Sequence, residues 1–212
     1  MLTSHFKKLI YLIAAIAVSS AIAGSYDDFF AAIRNDNASS LSDLLGRGFD
    51  PNTRDAKGNS GLTVAMQENS PKVAKLLLAQ TGIDLDAVNQ AGESALMMAA
   101  LKGNLAGAQA MIERGAGVDQ KGWSALHYAA AGAEPKVVGL LLERGAAVDA
   151  ASPNGTTPLM MAAQYGSEDS VSLLLDKKAD PNRRNDRNLR AADFARLAGR
   201  ESLAKRLESA AR

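Results

Sequence analysis

Apolar and polar positions alternate along this chain in blocks that return at nearly constant spacing. Four aliphatic runs, Val73 to Leu78, Ala106 to Ile112, Val137 to Leu142 and Val171 to Leu175, put apolar residues on one face of a 3.6-residue period and predict short amphipathic helices. Ahead of each run lies a shorter signature: Ser60-Gly61-Leu62-Thr63-Val64-Ala65, Ser94-Ala95-Leu96-Met97-Met98-Ala99, Ser124-Ala125-Leu126-His127-Tyr128-Ala129 and Thr157-Pro158-Leu159-Met160-Met161-Ala162. A worn fifth copy reads Arg190-Ala191-Ala192-Asp193-Phe194-Ala195, and the copies start 34, 30, 33 and 33 residues apart. A period of this size predicts a repeat array whose core is buried between neighbouring units rather than at one centre.

The punctuation agrees with that register. Gly48, Gly115 and Gly145 follow predicted helix ends, where glycine accepts the left-handed conformation that closes a helix. Lys178 replaces that glycine in the unit ending at Leu175, and Asn188 replaces the opening glycine of the next. Asparagine tolerates the geometry and lysine does not, so strain is expected at Lys178. The register also places one extra residue near Gly82-Ile83 and three missing residues between Asp119 and Gly122, which predicts a stunted third hairpin loop.

Period and signature together resemble the ankyrin repeat, over nearly all of Tyr26 to Arg212. The resemblance implies an all-α solenoid of paired antiparallel helices with hairpin-finger loops and degenerate end caps. On that basis residues 24–57 form an N-terminal capping repeat, 58–187 four repeats, and 188–212 a C-terminal capping repeat.

Residues 1–23 follow another logic. His5, Lys7 and Lys8 precede the apolar run Leu9 to Val18, and Ala21-Ile22-Ala23 end the segment in small residues. This is the order of a secretory signal with cleavage after Ala23, and it predicts a periplasmic or secreted protein. The run is shorter than the roughly 20 residues that cross a bilayer, so no stable membrane span is expected after cleavage. The alternative is an uncleaved Leu9 to Ala23 tether. Cleavage removes two lysines and no acid, which moves the net charge from +1 to −1 and gives no overall basicity to attract nucleic acid.

The charge that remains is unevenly spread. Arg183 to Arg212 carry nine basic and four acidic residues, a net of +5, leaving −6 for Gly24 to Asn182. A solvated end cap accounts for this excess, with docking to an acidic partner or anionic lipid as the functional alternative.

Candidate chemistry is sparse. The absence of cysteine excludes disulfides, thiolate metal sites and a cysteine nucleophile. His127, the one histidine beyond residue 23, occupies a signature position filled elsewhere by Thr63, Met97, Met160 and Asp193, which favours a structural role over that of a general base. Asp84 and Asp86 read as turn residues, and the pairs Met97-Met98 and Met160-Met161 as packing rather than a thioether metal site. No enzyme, cofactor or metal is predicted. The protein is read as a monomer that binds an unidentified protein partner.

The resemblance implies that partners bind the concave side, made of finger tips and the inner helices. The residue after each opening glycine is Asn59, Glu93, Trp123, Thr156 and Leu189, a mixed column some of whose members should face solvent. Trp123, beside the shortened finger, is the leading candidate, either as a partner anchor or as filler for the lost loop. Glu93, Lys102, Tyr165 and the finger residues Asn89, Gln90, Lys121 and Asn154 complete the candidate surface. An exported regulator or effector acting on an envelope or host enzyme would use the same face.

Overall fold

A computed structural model describes residues 24–211; the predicted signal segment lies outside the described residues. Helix α1 covers 24–34. It is followed by α2 (Ala38–Gly46), α3 (Gly61–Gln67), α4 (Pro71–Leu78), α5 (Ala95–Leu101), α6 (Leu105–Glu113), α7 (Ala125–Ala131), α8 (Pro135–Glu143), α9 (Pro158–Gln164), α10 (Glu168–Asp176), α11 (Ala191–Leu197) and α12 (Glu201–Ala210). Each signature becomes a seven-residue inner helix and each aliphatic run an outer helix. The inner helices stack in sequence, α3 on α5, α5 on α7, α7 on α9 and α9 on α11, while each outer helix packs behind its own inner one.

The signature works through its first and fourth residues. Ser60, Ser94 and Thr157 stand just ahead of their helices, and their hydroxyl oxygens accept from the N–H of Thr63, Met97 and Met160 at 3.2, 3.3 and 3.4 Å. The fourth residue returns the favour with whatever acceptor it has. Met97 Sδ accepts from Ser94 N–H at 3.5 Å, Met160 Sδ from Thr157 N–H at 3.4 Å, and Asp193 Oδ2 from Arg190 N–H at 2.8 Å. Two backbone donors that a helix start would leave open are thereby satisfied reciprocally. Histidine, methionine and aspartate interchange here because each carries a lone pair at the right reach.

Close stacking needs small residues. Ala65, Ala99, Ala129, Ala162 and Ala195, the sixth residue of each signature, are all buried. At Gly166 a Cβ would collide with the carbonyl oxygen of Ala130 in the preceding unit. Arg200, from the last unit, donates to the carbonyls of Ala162, Ala163 and Gly166 at 3.1, 3.1 and 2.9 Å, capping the end of α9. Arg196 pairs with Glu208 at 2.7 Å and Arg206 with Glu168 at 3.2 Å. Much of the carboxy-terminal basicity is thus engaged within the last unit or between it and its neighbour.

Between units, loop side chains hand bonds forward. Asp86 accepts from Gly117 N–H at 2.8 Å and Asp149 from Asp180 N–H at 3.1 Å, so Asp86 is a connector between turns. The fingers are also joined where complete: Gln90 N–H donates to Lys57 O at 3.1 Å, and Asp186 N–H to Asn154 O at 3.0 Å. Among the described residues no such bond reaches the third finger, where three residues are missing.

Lys178 has φ +69° and Asn188 φ +61°, the left-handed geometry expected at both. A β-carbon there costs about 1–2 kcal/mol relative to glycine. Replacement Lys178→Gly should therefore raise stability by about 1 kcal/mol, read as a higher denaturant midpoint with an unchanged slope. A lower midpoint would show that the lysine contributes more than its backbone strain.

Candidate functional site

The inner face carries a pocket of about 220 Å³ lined by Leu101, Trp123, His127, Tyr128, Ala131 and Met161. Leu101 and Ala131 are the last residues of α5 and α7, Tyr128 and Met161 the fifth residues of consecutive signatures, and Trp123 the remnant of the shortened finger. The pocket is thus assembled from three units at the point where the finger comb is interrupted.

His127 forms its floor and is fully buried. Its Nδ1 accepts from Ser124 N–H at 3.1 Å and lies 2.9 Å from Ser124 Oγ. That leaves Nε2 to donate to Thr156 O at 2.9 Å, which fixes the tautomer and ties the third unit to the fourth. Burial pushes the imidazole below its ordinary value of 6.5, against smaller opposing effects of the Thr156 and Ala150 carbonyls and Asp119. With both nitrogens committed, His127 is a structural residue.

Trp123 is half-buried and presents its ring edge-on to His127, with centroids 5.2 Å apart and planes at 72°. Its ring lies against the histidine and forms a wall of the pocket. Tyr128 reaches back to the second unit, its hydroxyl donating to Glu93 Oε1 at 3.1 Å, and Met161 lines the pocket beside Trp123. Tyr128 and Met161, each the fifth residue of its signature, both face the preceding unit. The Tyr128 phenol is pushed up to about 12, first by burial and then by the Glu93 charge, so it remains a donor.

The other predicted residues divide into framework and surface. Asn89 donates to Asn59 Oδ1 at 2.8 Å and Glu93 Oε2 at 2.9 Å while accepting from the N–H groups of Ala91 and Glu93 at 2.9 Å each. Asn154 accepts from Ser152 Oγ at 2.6 Å and Thr156 N–H at 3.2 Å. Gln90 donates to Ala56 O at 3.2 Å from an exposed finger tip. The side chains of Lys102 and Lys121 are exposed, and their ammonium groups have no ion-pair or hydrogen-bond partner among the described residues. Tyr165, 62% exposed, closes α9, the helix that supplies Met161 to the pocket. The column after the opening glycine is more enclosed than expected: Asn59 and Thr156 are buried, and Glu93, Trp123 and Leu189 partly so.

Sequence reasoning missed Leu101, Ala131 and Leu197. Leu101 and Leu197, 39% and 64% exposed, both end inner helices, a column whose members carry no packing duty. Aligning the last residue of each signature helix would have found them. Tyr165, directly after α9, is a further exposed large residue at the end of an inner helix.

The tautomer makes a test. Replacement His127→Met keeps an acceptor for Ser124 N–H, as at Met97 and Met160, but loses the Nε2–H bond to the Thr156 carbonyl, which retains its bond from Ser152 N–H, at a cost of about 0.5–1.5 kcal/mol near neutral pH. The depressed imidazole also means that, as pH falls below 6.5, the unfolded chain takes up a proton that the folded chain resists. Stability contributed by neutral His127 is complete above 6.5 and declines below it, so denaturation from pH 7 to 5 should show a smaller loss in the variant. Equal losses would remove His127 as the source.

Comparison with known proteins was made against this geometry. A family model described as ankyrin repeats (3 copies) matches residues 29–121 and 115–185, more than half of the chain. No curated protein matches. Among solved structures, the immunity protein in a structure of a predatory endopeptidase from Bdellovibrio bacteriovorus in complex with that immunity protein aligns with TM-score 0.74 and 25% identity, covering 86% of this chain and 97% of that one.

Proposed function

The chain belongs to the ankyrin-repeat family, and from that premise we propose that it is an exported protein-binding module that grips one partner protein through its concave face. The observation that carries this reading is the pocket of Trp123, Tyr128, Leu101 and Met161, continued by exposed Tyr165 and Leu197. Aromatic anchors in a half-open setting, rimmed by polar residues, have the composition of protein interfaces. A stack of this kind presents the surface already ordered, so little entropy is lost on binding. The committed hydrogen bonds of His127 favour binding over catalysis.

Export is supported by the signal-like order of residues 1–23. A more specific version, in which the module regulates an envelope enzyme, is favoured by one comparison: the aligned structure is a complex of an endopeptidase with an immunity protein. A tethered form would keep the Leu9 to Ala23 segment; among the described residues no helix is long and apolar enough to cross a membrane.

Two measurements test the reading. Amino-terminal sequencing of protein from its native compartment should begin at Gly24; a full-length product in the cytosol removes export. Crosslinking in the same compartment should capture a protein species, and Trp123→Ala with Tyr165→Ala should abolish capture without unfolding the array. Undiminished capture by the doubly replaced, folded protein would place the interface elsewhere.

A further inference from the structure

The outer helices hold a larger opening than the Trp123 pocket, away from the concave face. Between α4 and α6 lies a cavity of about 440 Å³, within the roughly 300–1,000 Å³ of small-molecule sites. Its floor is Met66 of α3, fully buried, and its apolar walls are Ala74 and Leu78 of α4 and Ala106, Gly107 and Ala110 of α6.

Two departures from the repeat make this space. Aligning the outer helices puts Ala110 in the column of Leu76, Leu140 and Leu173. Leucine in that column reaches back over the preceding unit, since a Cβ on Gly139 would lie 3.6 Å from Leu173 Cδ2. Ala110 has no such arm, and the space behind α4 stays open. Met66 takes the place that Ala100, Ala130 and Ala163 hold in other inner helices, and Gly107 the place of Val73 and Val137. A Cβ on Gly107 would stand 2.9 Å from Met66 Sδ, so the glycine is the room that the methionine needs. The floor is thereby an unbranched, adaptable thioether.

The charged residues that line this cavity are Lys75 and Arg114, and no carboxylate lines it. The Lys75 ammonium has no ion-pair or hydrogen-bond partner among the described residues, and Arg114 makes one long bond, to Gln80 O at 3.5 Å. On α3, α4, α6 and their caps the acids are Glu68 and Glu113. Neither belongs to the lining, and Glu113 accepts from Gln109 Nε2 at 2.8 Å. The groove between α8 and α10 is the contrast. Lys136 lines it together with Glu143 and Asp169, so it selects neither sign of ligand.

We propose that the cavity between α4 and α6 binds a long-chain carboxylate, a fatty acid, with its tail over Met66 between the two helices and its carboxylate on Lys75 and Arg114. The site stands apart from the concave face and does not rest on the partner-binding reading. Its walls disfavour a peptide. The backbone groups of α4 and α6 are bonded within their own helices, and the lining amide of Asn104 is engaged with Gly107 N–H and Met66 Sδ. An extended chain laid there would find no partners for its N–H and C=O groups, whereas a hydrocarbon tail needs none. A partner helix, about 10–12 Å across, would fill the same volume with about one turn.

The test titrates dodecanoate, below the concentration at which it forms micelles, into the purified protein near neutral pH, where the carboxylate is ionised. The amide resonances of Gly107 and Ala110 and the methyl resonance of Met66 report. Saturable shifts confined to these residues and their neighbours are expected. Decanoate, shorter by two methylenes, should bind about tenfold more weakly. Dodecyltrimethylammonium, with the same tail and the opposite charge, should bind more weakly still, by a margin that shrinks as salt is raised. Ala110→Leu restores the residue of the column; it should weaken dodecanoate about tenfold or more with the melting temperature unchanged or higher. Lys75→Glu with Arg114→Glu, altered only at exposed positions, should reverse the preference between the anionic and cationic amphiphiles. Absent or scattered shifts, equal response to the two amphiphiles, an unreversed preference, or undiminished binding by folded Ala110→Leu would overturn the proposal. So would binding to anionic vesicles or to an acidic amphipathic peptide without binding to dodecanoate.

Discussion

A seven-residue helix cannot hold itself together in water, where even alanine-rich helices shorter than about 12–15 residues are marginal. The inner helices built by the five signatures all have that length. Their persistence depends on being clamped between neighbours, and the clamp has two parts. The buried alanine column lets adjacent backbones approach, and the paired hydroxyl and acceptor at the starts of α5 and α9 remove two open donors from each of those dry junctions. Removing either would loosen more than one unit, because each inner helix is a wall for the next.

The same dependence shapes the ends. The last unit lacks a following neighbour, and its arginines compensate by reaching backward. Arg200 crosses to three carbonyls of α9, and Arg206 crosses to Glu168 on α10. Their charge is an adhesive for the terminal repeat, while Arg187 and Lys205 remain exposed to keep the end wet. At the other end Phe29, Phe30 and Ile33 close the stack with bulk, Phe29 packing on Phe49 with centroids 4.9 Å apart.

The fold was legible because its determinants repeat. Helix positions, the shortened loop and the left-handed turn at Lys178 all followed from aligning copies, since a position seen five times reveals what backbone geometry it must serve. The site was less legible for the opposite reason. Tyr128 and Met161 occupy a column that in other units is filled by the buried residues Val64, Met98 and Phe194, and only the missing finger beside Trp123 turns that column into a pocket wall. Asn89 and Asn154 posed the converse problem: their residue type suggests recognition, but their side chains are used up in holding the turns. Whether a side chain is already engaged depends on three-dimensional neighbours that no alignment of copies displays.

Pro153 gives the shortened finger a permanence that the deletion alone lacks. Inserting three residues after Asp119 would restore the loop but not its seam with the fourth finger, which has no N–H to give. Pro153 instead packs on the short finger itself, where a Cβ on Gly122 would lie 3.6 Å from the proline ring, whereas a Cβ on Gly92 of the second finger would meet nothing within 4 Å. The interruption therefore falls on one side alone, and the array is lopsided about its middle unit.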